Sequence, residues 1–281
     1  MNSEVIFVVL FAAALNAGWN APVKVGGDRV AVMAIVTAMG SLVSLLTLPF
    51  VSMPAASNWA LLALGIVLHT GYHFALPAAY NHGDFGQVYP ISRGSAPLLV
   101  SIGAAVFAGE FLGPIALLGV IFLSAGVTAL AFDRKPGAAP APRAVFLALL
   151  TGTCIASYTL VDGLGARQAG TAMGYGVCLT IGDGLLTLFI AAIWKANEIL
   201  MVARAQFRSA ALGGAMQVAS YWIIIWALAL APIGAVSALR ETSVLFAAVI
   251  STFILKEGFG VWRFVSTGLI ASGITLSRYK P

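Results

Sequence analysis

The sequence predicts an all-α membrane protein: ten transmembrane helices in two inverted five-helix repeats around a central cavity. Composition, long uncharged runs and an internal repeat predict it. Of the 281 residues 60% are hydrophobic and 9% charged, so a soluble domain would expose far more apolar surface than water tolerates. Between Arg29 and Asp84 there is no Asp, Glu, Lys or Arg, which is room for two helices of about 20 residues each with a turn at Ser52 to Asn58. Such runs do not resemble the short alternating strands of an outer-membrane barrel. The segment Gln87 to Thr128 recurs 147 positions later, from Gly234 to Thr275, without a gap. Arg93 falls on Arg240, Leu98 on Leu245, Glu110 on Glu257, Gly113 on Gly260, Gly126 on Gly273 and Thr128 on Thr275. Arginines and glutamates repeated at identical spacing mark one unit used twice.

Taken in order, hydropathy places spans at residues 4–22, 30–51, 57–80, 85–108, 112–132, 144–163, 171–194, 209–230, 233–255 and 260–277. The sizeable linker is Asp133 to Arg143, DRKPGAAPAPR, whose prolines and charges suit an exposed connector. The domains are therefore a first five-helix repeat at 1–132, a linker at 133–143 and a second repeat at 144–281. Five spans per repeat make the second copy enter the membrane from the opposite side, the inverted arrangement many secondary transporters use. Loop charges suggest an orientation. Lys24, Arg29, Arg134, Lys135, Arg143, Lys195, Arg204, Arg208, Lys256 and Arg263 collect on one side, against Arg167, Arg278 and Lys280 on the other. The positive-inside rule then places both termini outside. The net charge of +5 is read as topology, with the lipid bilayer as partner and nucleic acid excluded. Cys154 and Cys178 lie in apolar spans without CxxC spacing and read as buried free thiols. Met1 to Glu4 carries no basic segment of a cleavable signal.

Polar side chains inside spans are costly and so become candidate functional groups. Asn16, Trp19 and Asn20 share one helix face at i, i+3 and i+4, as do His69, Tyr72 and His73, and Gln217, Ser220 and Tyr221. Thr151, Tyr158 and Asp162 form a comparable face, as do Thr180, Asp183 and Thr187. Packed together, these faces would line a cavity for a small zwitterionic or aromatic molecule, while Ser and Thr also serve as hydrogen-bonding glue between helices. His69 and His73 have the i, i+4 spacing of zinc ligands, but the intervening residues hold no glutamate, so no HExxH hydrolase motif is present. Cavity lining, packing and proton or metal work remain for them. Asp183 is the proton-coupling candidate, since a mid-span carboxylate is expensive to keep charged. Asp162 lies near a span end, where solvation would suffice. Arg93 and Arg240 cannot shed their charge, and each requires a carboxylate, carbonyls, water or an anionic substrate group. Glu241 follows Arg240 directly and on a continuous helix points about 100° away, so it is no obvious partner. Pro77, Pro90 and Pro97 should kink their helices and free carbonyls for water or ligand.

Each repeat ends in a glutamate with a glycine sixteen residues on, in a Gly-rich last helix: Glu110 with Gly126, and Glu257 with Gly273. Together with ten spans in two repeats, this resembles the drug/metabolite transporter superfamily, in particular its EamA-type members. The resemblance implies a bundle with a central cavity, exporting amino acids or related metabolites across a bacterial inner membrane. It implies substrate-binding roles for Trp19, Asn20, His69, Tyr72, His73, Tyr89, Arg93, Tyr158, Tyr221, Trp222 and Arg240. Glu110 and Glu257 read as helix-end residues. Such carriers usually keep both termini in the cytoplasm, opposite to what the loop charges here suggest. No catalytic, metal or cofactor site is expected. Rival readings keep the fold with a phosphorylated or nucleotide-linked sugar or a drug as cargo, or make the protein an intramembrane lipid enzyme or a structural scaffold. The lipid enzyme lacks a nucleophile with its base, and the number of polar faces disfavours the scaffold.

Overall fold

The computed structural model describes residues 2–25, 28–82, 85–132, 141–246 and 261–277. Long apolar stretches in lipid satisfy their backbone polar groups internally only as helices or closed barrels, and the described residues contain helices and no strand. They are α1 Ser3–Val25, α2 Arg29–Thr47, α3 Trp59–His82, α4 Phe85–Phe107, α5 Pro114–Ala129, α6 Pro142–Gln168, α7 Ala172–Ala205, α8 Phe207–Leu230, α9 Ile233–Arg240 and α10 Val261–Ser277. Seven of the described helices, α2 to α8, are long and apolar enough to cross a membrane; Ser3–Trp19 and Phe264–Leu276 are shorter apolar stretches. Large apolar side chains such as Phe7, Phe50, Phe111, Trp194 and Phe264 point outward, as lipid-facing surfaces do. Of the linker, residues 133–140 lie outside the described set, as do Glu257 and Gly260.

The chain forms two compact units. Unit 1 comprises Met1–Ala14, Ala78–Leu160 and Ala231–Pro281, and unit 2 comprises Leu15–Pro77 and Val161–Leu230. Each draws on both halves of the sequence. Moving residues 15–77 by the repeat distance of 147 lands on 162–224, inside the other segment of unit 2.

Small residues set the packing. In unit 2, α2 lies against α7 and α8, and a Cβ on Gly214 would stand 2.6 Å from the Val36 carbonyl oxygen. Only glycine permits that approach. The Ser41 hydroxyl donates to the Thr180 carbonyl at 2.9 Å, and Ser44 and Thr180 hydroxyls lie 2.7 Å apart. In unit 1, α5 packs on α10. Gly126 there faces Ser266 and Ile270, and Gly273 faces Gly119 and Leu123.

Several helices depart from the expected spans. The seventh span was expected to end at 194, yet α7 continues to Ala205 with a non-helical residue at Lys195 (φ −136°, ψ 29°). The polar run beyond it is helical but outside the apolar stretch, which hydropathy cannot see. The span expected at 233–255 is helical at 233–240, turns at 241–242 and is helical again at 243–246; residues 247–255 are outside the described set. The Thr242 hydroxyl takes the Leu239 carbonyl at 2.7 Å, a local side-chain bond that competes with helix continuation. By contrast α3 runs through Pro77, and α4 through Pro90 and Pro97, as helix.

Candidate functional site

In unit 2 the helical spacing of α3 puts His69 and His73 on one face, their ring centroids 6.5 Å apart. His69 Nε2 lies 2.7 Å from Asp162 Oδ2 and 3.0 Å from the Tyr221 hydroxyl. The Tyr221 hydroxyl donates to the same carboxylate oxygen, and Tyr175 donates to Oδ1 at 3.1 Å. Asp162 is 0% exposed. Its expected solvation near a span end is therefore corrected: α6 extends to Gln168, and two tyrosine hydroxyls and the His69 ring surround the carboxylate. One turn along α3, His73 Nδ1 lies 3.1 Å from Asp183 Oδ1 and 3.1 Å from the Thr187 hydroxyl. Thr187 and Thr70 donate to Asp183 Oδ1 at 3.4 and 3.5 Å. Tyr72 is buried, with its ring 5.4 Å from that of His73. Trp19 is buried and its indole donates to Asn16 Oδ1 at 2.7 Å. The Asn20 side chain lies outside the described set. The Trp222 indole donates to Thr180 at 3.3 Å, which ties this candidate to α7.

In unit 1 the two repeated arginines have different surroundings. Arg93 is 0% exposed and Glu241 1% exposed, and Arg93 Nη1 donates to Glu241 Oε2 at 3.2 Å. The Arg93 guanidinium also lies over the Tyr89 ring, 5.2 Å from its centroid, a cation–π geometry. Arg240 Nη2 donates to the Tyr158 hydroxyl at 2.5 Å, with its guanidinium 5.4 Å from that ring's centroid. Arg240 Nε lies 3.9 Å from Glu241 Oε1. The expectation that Glu241 is no partner is corrected here. It weighed only the neighbour along one helix, whereas the closer partner of Glu241 is Arg93 of α4. Glu110 accepts the Ile233 backbone N–H at 2.8 Å, an anion at a helix N-terminus and a helix-end role for one of the repeated glutamates.

The predicted residues thus fall into two groups. Unit 2 holds Trp19, His69, Tyr72, His73, Asp183, Tyr221 and Trp222, and unit 1 holds Tyr89, Arg93, Tyr158 and Arg240. Tyr175 and Glu241 were missed as members of these networks, and Asp162 was placed on a polar face but read as solvated. Asp162 had a signal in its i+4 spacing from Tyr158. Tyr175, between two glycines in an apolar run, had none. Among the described residues no cluster of three or more His, Cys, Asp or Glu could hold a metal ion.

Apolar helices with outward-facing aromatic and aliphatic side chains, and charged groups paired inside, define an integral multi-pass membrane protein. Residues 142–279 match the EamA-like transporter family, in agreement with the EamA-type drug/metabolite transporter superfamily that the sequence resembles. The match indicates a membrane transporter of that superfamily. A solved structure described simply as the crystal structure of a protein has a TM-score of 0.74, covering 98% of this chain and 96% of its own at 16% identity. That likeness establishes the fold. A comparison with curated proteins gave no match.

Proposed function

We propose that the protein is a secondary transporter that exports small metabolites, with amino acids as its cargo, by alternating access across the cell membrane. The observation that carries this reading is a buried, always-charged guanidinium, Arg240, presented on an aromatic ring at a helix break. Broken helices in transporters lie at substrate sites, and a planar guanidinium is suited to a carboxylate. The recognition role is assigned to Arg240 because it lies at that break, with Tyr158 orienting it.

Inverted five-helix repeats remain part of the proposal, and two helix pairs support it. Thr37 of α2 and Gly184 of α7, in contact, are 147 positions apart. In the α5–α10 pair, Gly126 against Ser266 and Ile270 mirrors Gly273 against Gly119 and Leu123, each residue meeting the counterpart of its own partner, as two-fold packing requires.

The test is flux in proteoliposomes loaded with amino-acid mixtures. Flux above that of empty liposomes is expected, and Arg240→Ala should weaken transport of amino acids more than of their amides. Flux of sugar phosphates alone would replace the cargo. Equal loss for acids and amides would make Arg240 structural.

A further inference from the structure

His69 and His73 sit one turn apart on α3, and each meets a buried carboxylate from a different helix, Asp162 of α6 and Asp183 of α7. We infer that these two histidine–carboxylate pairs together form the proton-binding site that couples transport to a proton gradient. The inference rests on the transporter reading and gives Asp183, singled out from sequence, a second carboxylate and two imidazoles as partners.

The argument is one of charge. Among the described residues no Lys or Arg pairs with Asp162 or Asp183, and a buried carboxylate without a cation is strongly disfavoured. A pair that holds one proton is neutral overall, whether the proton rests on the ring or on the carboxyl. Releasing it leaves a neutral imidazole beside a carboxylate. That state is not forbidden, because neutral donors are already in place: Tyr175 and Tyr221 at Asp162, and Thr70 and Thr187 at Asp183. The site can therefore load and unload. The titratable groups facing the histidines are Asp162 from α6, Asp183 from α7 and Tyr221 from α8; Tyr72 adjoins His73 on α3 itself, and Tyr175 of α7 reaches Asp162. In the transfer step a hydronium ion on one side gives its proton to the imidazole or the carboxylate of either pair, His69 with Asp162 or His73 with Asp183, and is left as water. On the other side the pair returns the proton to water, which becomes hydronium.

The experiment uses the full chain in phosphatidylcholine–phosphatidylglycerol vesicles with a radiolabelled amino-acid mixture. Exchange between equal pools at one pH reports the cargo, and accumulation against an imposed pH gradient reports the coupling. Wild type should accumulate about tenfold for each coupled proton at a gradient of about one pH unit. His69→Gln should lower accumulation far more than it lowers exchange. Wild-type accumulation by His69→Gln, or exchange without accumulation in the wild type, overturns the inference and leaves the transporter reading standing. Absence of all amino-acid exchange sinks the cargo instead. Coupling is then decided by infrared difference spectra of the cargo-free protein between about pH 5 and about pH 8, where histidine changes charge. A carboxyl signal that Asp162→Asn and Asp183→Asn diminish is expected, and an unchanged spectrum in both overturns it. Should His69→Gln not fold, Tyr175→Phe removes a donor from the carboxylate and should move the pH profile of accumulation upward; an unmoved profile counts against the site.

Discussion

Glu241 shows how much one side chain can carry. Arg93 beside it is wholly buried, and removing one partner of a buried pair leaves an uncompensated charge. Glu241→Gln should cost about 3 kcal/mol, read by thermal unfolding in detergent, while replacing Arg93 and Glu241 together by Met and Leu should cost markedly less. Asp28, at the start of α2, provides a second prediction at this scale. Its carboxylate accepts from the Val30 and Ala31 amides at 3.1 and 3.0 Å and from Lys195 Nζ at 2.8 Å. Partial burial alone would raise its pKa, but Lys195 and these amides outweigh it and hold the carboxyl below its usual value. Its stabilisation is therefore complete above the unfolded value of about 3.9 and fades as pH falls through the lower folded one. Asp28→Ala should cost about 1 kcal/mol at neutral pH, and the difference from wild type should shrink below about pH 4, where the free carboxyl itself protonates. The candidate site was partly legible from residues of this kind. Costly side chains inside apolar spans named His69, His73, Arg93 and Arg240, because burial of polarity is visible in local sequence. Their partners were not visible. Asp162 lies 93 residues from His69 and Glu241 148 from Arg93, and periodicity reports only the face of a helix, never what lies opposite.

At the scale of helices, lipid gives little hydrophobic reason for one helix to prefer another, so close van der Waals contact decides. Gly214 of α8 approaches the Val36 carbonyl of α2, and Gly184 of α7 approaches the Thr37 carbonyl. A Leu at either position must push the helices apart. Gly214→Leu should destabilise by several kcal/mol, more than the roughly 1 kcal/mol that helix propensity alone would return in its favour, as judged by unfolding in detergent. The mirrored contacts of Gly126 and Gly273 predict similar losses for Gly126→Leu and Gly273→Leu, measured the same way. Hydropathy located most elements and missed the break inside the span expected at 233–255. Prolines at 77, 90 and 97 are carried inside helices, while the break at 241–242 has neither Pro nor Gly. Its cause is a Glu-Thr-Ser run whose hydroxyls and carboxylate find better partners than the next helical turn offers.

For the molecule as a whole, the compact units do not follow the halves of the sequence: each is built from segments of both. α2 from the first half packs on α7 from the second, and α5 on α10 likewise. Residues 1–132 expressed alone should accordingly be protease-sensitive, and co-expression with 144–281 should restore resistance; a protease-resistant first half by itself would contradict this. Orientation is testable at the same scale. The loop charges predict that alkaline phosphatase fused to the C-terminus is active and a fluorescent protein there is dark, and the reverse pattern would place the termini in the cytoplasm. The sequence by itself determined a helical, membrane-embedded chain with an internal repeat, because hydropathy and spacing are local properties that need no partner. Only the tertiary structure decided which helices pair, and that Asp162 and Glu241 complete the buried networks. Charge complementarity in a dehydrated interior acts between side chains far apart along the chain, and the fold alone brings them within reach.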